Sequence, residues 1–284
     1  MKLQRTILLV VLTATLISAG RPSPKLKDFF VYVPSGYLQV DQENAKSING
    51  FYMFSTEVTN SQYREYLNDL EERGNTEELQ IAKVQEDNWK QIDGYNEPMT
   101  QNYFNHPAFD DYPVVNVSHE AAENYCKWLS EKYSEKASGW EVHVRLPKKL
   151  EWSYAAKGGH TLAPYPWGGY YVKNAKDCYL LNFSTPDEDR MADGGLYTVN
   201  ATAYFPNDYG LYNTSGNVAE MIDEEGIAMG GSWMTEGYKS VTTTSEAIYS
   251  NATPDVGFRP ILTVIATDKP KAKFNPNKLW KKIF

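Results

Sequence analysis

Apolar and polar positions change their period several times along the chain, and each change marks an element. FFVYVPSGYLQVD combines β-branched and aromatic residues around a Pro-Ser-Gly break, which predicts two strands joined by a turn. In TEVTNSQYREYLNDLEERG the period lengthens. Tyr63, Tyr66, Leu67 and Leu70 share one helical face, Thr59 and Gln62 stand at capping-box spacing, and Gly74 offers a stop, so a helix is predicted over 60–72. Over 75–112 no period holds, and this polar, aromatic stretch reads as a surface excursion. In YPVVNVSHEAAENYCKWLSEKY, residues 113–117 read as buried extended chain and Ser118 as an N-cap. Ala122, Tyr125, Cys126, Leu129 and Tyr133 form the inward helical face, which makes Cys126 a core residue. VRLPKKLEWSYAAKGG predicts a short helix with Pro147 in its first position, anchored by Leu150, Trp152 and Tyr154 and stopped at 158–159. From 159 to 226 periodicity is poor, so order there must come from tertiary contacts or a bound ion.

Composition turns these elements into one globular body of 284 residues, because 42% hydrophobic content with 21 Tyr and 7 Trp is uninterrupted by low-complexity sequence. Residues 1–20 run basic, apolar and small in the order of a secretory signal, and the apolar run is shorter than the roughly 20 residues a membrane span needs. The expected product is exported, to the periplasm or cell surface. No cysteine lies near the expected cut, so a lipid anchor is not expected, and a linker follows over 21–28. The formal charge of −8 argues against nucleic acid as the main partner. Residues 267–284 depart from that balance, with six lysines against one acid. In this basic tail Lys278, Trp280, Lys281, Lys282 and Phe284 read as a docking segment for an acidic protein groove or an anionic membrane surface. Cys126 and Cys178, with His106, His119, His143 and His160 scattered, make no zinc signature, and whether the two cysteines pair stays open.

The ordered motifs EVTNSQY, YPVVNVSHEAAENYCKWL, VRLPKKLEWSYAAKGG, YPWG, YGLYNTSGNVAEM, GGSW and GFR resemble the domain of formylglycine-generating enzymes, also called sulfatase-modifying factors. The resemblance spans about 29–265 and defines a domain over 29–266. It implies an α+β, C-type-lectin-like fold with little regular secondary structure. It also implies structural calcium. A first set would be the Asn213 side chain, the carbonyls of Gly216 and Val218, and the Glu220 carboxylate. A second would be Asn182, the Phe183 carbonyl, Asp193 and the Gly195 carbonyl, hard oxygen donors as calcium requires. Glycosylation competes with this, since Asn116, Asn182, Asn200, Asn213 and Asn251 each open an N-x-[ST] triplet.

The family's oxidase chemistry uses two cysteines just after GGS that bind copper(I). An ungapped alignment places Thr235 and Ser240 there, and no cysteine follows Cys178. Hydroxyls are poor ligands for a soft cation, so copper is not expected. Iron is not expected either, because the related iron branch needs an added helical domain and a helical His pair. Ala219 and Met221 stand where the family usually has Trp, Met229 where it has Arg, and Lys148 and Lys149 where Thr and an acid are usual. Gly231, Trp233, Gly257, Phe258 and Arg259 remain, with Arg259 expected as a buried fork donor. The resemblance extends to the non-catalytic members found in gliding-motility and type IX secretion machinery, and implies a binding or assembly subunit of a bacterial envelope complex. The alternatives are an enzyme drawing on Thr235, Tyr238, Ser240 and Glu246, or a lectin-like ligand-binding module.

Overall fold

The computed structural model describes residues 29–41, 43–185, 191–267 and 273–283. The signal, the linker and Phe284 lie outside them. The elements in order are β1 (Phe30–Val33), β2 (Gly36–Gln39), β3 (Ala45–Ile48), β4 (Phe51–Phe54), α1 (Asn60–Glu72), α2 (Thr76–Ile81), α3 (Glu97–Asn102), α4 (His119–Lys136), β5 (Trp140–Arg145), α5 (Lys149–Ala156), β6 (Ala219–Met221), β7 (Ile227–Met229), β8 (Glu246–Ile248), β9 (Val256–Phe258), β10 (Ile261–Ala266) and α6 (Pro276–Ile283). One antiparallel sheet runs β1-β4-β10-β5, a second runs β8-β7-β6-β9 with β6 and β9 parallel, and β2 and β3 form a hairpin. This is an α+β arrangement, with no helix or strand among the described residues between α5 and β6.

The helices start where the side chains can satisfy orphan backbone donors. At α1 the Thr59 N–H donates to Gln62 Oε1 at 2.9 Å, while Thr59 Oγ1 accepts from Gln62 N. At α4 Ser118 Oγ accepts from Ala121 N at 3.1 Å. At α5 the helix begins at Lys149 and not at Pro147. Glu151, held bidentately by Arg145, accepts the Lys148 N–H, and Pro147 stands outside, its carbonyl taken by Asp223 N. The buried faces of α1 and α4 meet in aromatic contacts: Tyr63 stacks on Tyr125 at 5.7 Å, and Phe258 closes edge-on over both. Cys126 is buried in this core.

Two expectations are corrected. Residues 75–112 are not a surface excursion alone: Trp89 and Tyr103 are buried and pack with Trp233, Val115 and Val218 into a core of their own. Asn60 ties that region to α1, its Nδ2 donating to the carbonyls of Tyr103 and Phe109. The domain also does not end at 266. Trp280 is 7% exposed, stacked on Phe29 at 4.5 Å and edge-on to Phe54. Asn277 exchanges both amide bonds with the backbone of Phe30 at 2.8 Å, covering the free edge of β1. Trp280 is therefore a core residue and not a docking anchor, whereas Lys278, Lys281 and Lys282 stay exposed.

Candidate functional site

The irregular stretch between α5 and β6 is held by a buried polar network around the TSGNVAE loop. Asn213 and Asn217 take left-handed backbone (φ 49° and 65°). A Cβ on Gly216 would lie 2.2 Å from the Asn182 carbonyl oxygen, so only glycine passes there. Asn217 N donates to that same oxygen, and Asn217 Oδ1 accepts from Val199 N. Under the loop lies Arg259, fully buried. Its Nε and Nη2 grip Glu220, Nη1 reaches the Phe54 carbonyl and Nη2 the Tyr212 carbonyl. Trp152 Nε1 adds a 2.7 Å bond to Glu220 Oε2. This is the fork donor expected from the sequence.

A second buried carboxylate, Glu57, shares that guanidinium at 3.8 Å and accepts from Asn217 Nδ2 at 2.8 Å. Sequence reasoning missed it. Its only signal was a lone acid inside the otherwise apolar and small-residue run FYMFSTEV, opposite an arginine that needed countercharge. Burial pushes its carboxyl up to about 8 from 4.5, against the pull of Arg259 and with the added push of Glu220. The folded chain therefore holds this proton more tightly than the unfolded chain. Its stabilisation is fully present below about pH 4.5 and is lost as pH rises through about 8. The melting temperature should fall across that window and Glu57→Gln should flatten the fall. An unchanged slope in thermal melts of the variant would remove Glu57 from this role.

The calcium sets fare differently. In the first, Asn213 Nδ2 donates to the Ala201 carbonyl and leans on Glu57, while its Oδ1 is buried without a hydrogen-bond partner. Gly216 and Val218 lie in the same loop. Both Glu220 oxygens, however, are taken by Arg259 and Trp152. A divalent cation there would have to displace a guanidinium, so Glu220 is an ion-pair partner and this set does not fit calcium as expected. The second set is brought together: Asp193 Oδ2 accepts from Phe183 N at 2.7 Å and Oδ1 from Gly195 N at 3.1 Å, beside Asn182, whose Nδ2 donates to the Tyr197 carbonyl. Asp193 is buried, burial holds its carboxyl above the usual range, and no cationic side chain pairs with it among the described residues. A buried carboxylate met by two backbone N–H groups and by no described cation fits a hard cation as countercharge. Among the described residues no group of three or more His, Cys, Asp or Glu is placed to hold a metal. Any calcium would thus rest mainly on amide and main-chain oxygens.

At the two positions where the family resemblance implies copper ligands, this chain carries hydroxyls. Thr235 Oγ1 accepts from Ser232 N at 2.9 Å, and Ser232 Oγ donates to Asp255, which also accepts from Thr253. Ser240 is exposed, and Glu246 is spent on a 2.6 Å pair with Lys149. Tyr238 contributes its carbonyl to Tyr165 OH. No histidine joins these groups, and the one carboxylate among them is paired with Lys149. Trp233 stays buried, stacked at 6.2 Å over Trp89, and floors a polar cleft of about 250 Å³ bordered by Gln91, Asp93, Ser184 and Glu236. Ala219, Met221 and Met229, the departures from the family pattern, are apolar core in β6 and β7. Cys126 is buried and Cys178 exposed, both as free thiols. Asn116, Asn182 and Asn213 are buried and closed to glycosylation, whereas Asn251 is exposed.

The sulfatase-modifying factor enzyme 1-like domain family matches residues 18–264. The inactive Cα-formylglycine-generating enzyme 2 of Bos taurus is 33% identical over 167 residues, covering 52% of this chain and 50% of that protein. The formylglycine-generating enzyme of Bos taurus is 27% identical over 243 residues, covering 73% of this chain and 60% of that protein. The chain thus spans about half the length of the inactive relative. Among solved structures, CarF superposes with a TM-score of 0.57 at 21% identity, covering 84% of this chain and 99% of that one. PvdO from Pseudomonas aeruginosa gives 0.56 at 19%, covering 82% and 93%. At these identities the two structures establish the shared fold alone. The match across most of the chain, with that fold, means that this chain belongs to the sulfatase-modifying factor enzyme 1-like family.

Proposed function

We propose that this chain is a non-catalytic member of the family, exported to the periplasm or cell surface, and that it serves as a binding or assembly subunit of a bacterial envelope complex such as gliding or type IX secretion machinery. The observation that carries the non-catalytic reading is the replacement of both copper-binding cysteines by Thr235 and Ser240, one a brace for Ser232 and the other solvent-exposed. Neither hydroxyl is a ligand for copper(I), and Cys126, the nearer alternative by burial, is a thiol pushed above its usual range and locked in the core. An inactive relative at 33% identity is consistent with loss of the chemistry within the family. The basic-apolar-small leader supports export.

Calcium belongs to this reading as a structural ion held by Asn182, Phe183, Asp193 and Gly195, where it would neutralise Asp193 and tie the loop together. Metal analysis tests both parts. The purified protein should contain calcium but no copper, should melt lower in EDTA, and should leave a cysteine-containing peptide unoxidised. Asp193→Asn should lose the EDTA effect. Bound copper, or oxidation of the peptide thiol, would restore the enzyme reading, and melting unaffected by EDTA would remove the ion.

A further inference from the structure

The docking of α6 creates a surface that neither partner segment has alone. Between the C-terminal turn of α4 and α6 lies a groove of about 240 Å³, floored by Trp140, Phe274 and Leu279 and rimmed by Lys136, Lys273, Lys278 and Lys282. A larger hollow of about 610 Å³ adjoins it through Trp140, Lys273 and Phe274 and continues along β10 past Val264. Lys278 and Lys282 are one helical turn apart, so they stand on the same side of α6. Trp280, pointing into the core, fixes that orientation.

Lysines gather here around an apolar floor. Lys90, Lys132 and Lys149 each pair with an acid. The four rim lysines are exposed and have no carboxylate partner among the described residues, on a chain whose formal charge is −8. Four unneutralised cations around an apolar floor are complementary to an anionic ligand with an apolar anchor. The floor is recessed: Phe274 is 7% exposed, and Trp140 and Leu279 are half-buried below the lysines. A planar lipid surface would meet the lysines first and leave the floor unfilled. A side chain projecting from an extended peptide reaches it.

We propose that this groove binds an acidic, extended segment of a partner protein, seating one aliphatic or aromatic side chain on Trp140, Phe274 and Leu279 and its flanking carboxylates on Lys136, Lys278 and Lys282. The proposal rests on the reading of the chain as a binding subunit and gives that subunit its surface. The anchor supplies most of the affinity, while the lysines set the approach, the register and the dependence on salt.

The test uses the full mature chain and a fluorescent synthetic peptide with a Leu-Phe pair between runs of Asp and Glu. The controls are the same peptide with Ser-Ser at the anchor, and vesicles of phosphatidylglycerol and phosphatidylcholine. The anchored peptide should bind saturably. Affinity should fall about ten-fold or more in the triple variant Lys136→Glu, Lys278→Glu, Lys282→Glu, and likewise with the Ser-Ser peptide. The variant should keep its melting temperature, since these lysines pair with no carboxylate among the described residues. Equal binding to the variant, equal binding of the Ser-Ser peptide, or binding to vesicles without binding to the peptide would each overturn the proposal. Cross-linking in cells separates it from the broader reading. If the wild type and the triple variant recover the same stoichiometric partners, the binding-subunit reading stands and the groove is refuted. If the wild type recovers none, that reading fails, while the peptide titration still decides the groove.

Discussion

Arg259→Met is expected to lower stability by about 3–5 kcal/mol in denaturant unfolding, enough to deplete the folded state of a marginally stable domain. The physical reason is that one guanidinium neutralises the buried Glu220 carboxylate, faces the buried Glu57 carboxyl and donates to two buried carbonyls. Without it Glu220 keeps only its bond from Trp152, Glu57 keeps only asparagine amides, and the carbonyls of Phe54 and Tyr212 lose their donors. Arg259→Lys should fall between wild type and Met, because an ammonium keeps the charge but cannot span a carboxylate and two carbonyls in one plane. Adding Glu220→Gln to Arg259→Met should recover part of the loss, and a double-mutant cycle would measure the coupling. If Arg259→Met costs less than about 1 kcal/mol, the ion pair does not hold the irregular half of the chain in place.

The second large effect is expected at the other end of the molecule, where Trp280→Ala should cost about 3–5 kcal/mol. Trp280 fills the space between Phe29, Phe54 and α4, and its loss leaves a cavity beside the strand edge that Asn277 covers. Lys281→Glu, one residue away and exposed, should change stability by no more than about 0.5 kcal/mol. A solubilising tail would show neither the large value nor the contrast. A chain ending at residue 267 that melts at the wild-type temperature would show that α6 is an ornament and not part of the core.

The helices were legible because their signals are local. Thr59 and Gln62 with Tyr63, Tyr66 and Leu70 lie within a few turns on α1, and Ser118 with Tyr125 and Leu129 within a few turns on α4, so backbone geometry alone dictates what they do. At α5 the same logic slipped by two residues. Glu151 is recruited by Arg145 from a neighbouring strand, and that contact moved the start past Pro147. The 75–112 stretch was misread for a related reason. Its buried side chains, Trp89 and Tyr103, follow no helical or strand period, because they are oriented by Trp233 and Tyr197, over a hundred residues away or nearly so.

The candidate site divides along the same line. That Arg259 and Trp233 stand where they do, and that positions 235 and 240 carry hydroxyls, was decided by residue identity, since no folding can turn Thr235 or Ser240 into a soft ligand. Family order of motifs was likewise written in the chain. Which carboxylate faces Arg259, and which faces only backbone amides, was not. Glu220 and Asp193 look equivalent as acids in polar loops, yet tertiary structure gives one a guanidinium and sets the other against backbone N–H groups, with no cationic partner among the described residues. The tail is the clearest case. Its alternation of lysine and aromatic residues specified an amphipathic segment, but an amphipathic segment can face a partner or its own domain. Only the fold decided, because burying Trp280 against Phe29 and Phe54 depends on chain more than two hundred residues away, and no local pattern encodes such a distance.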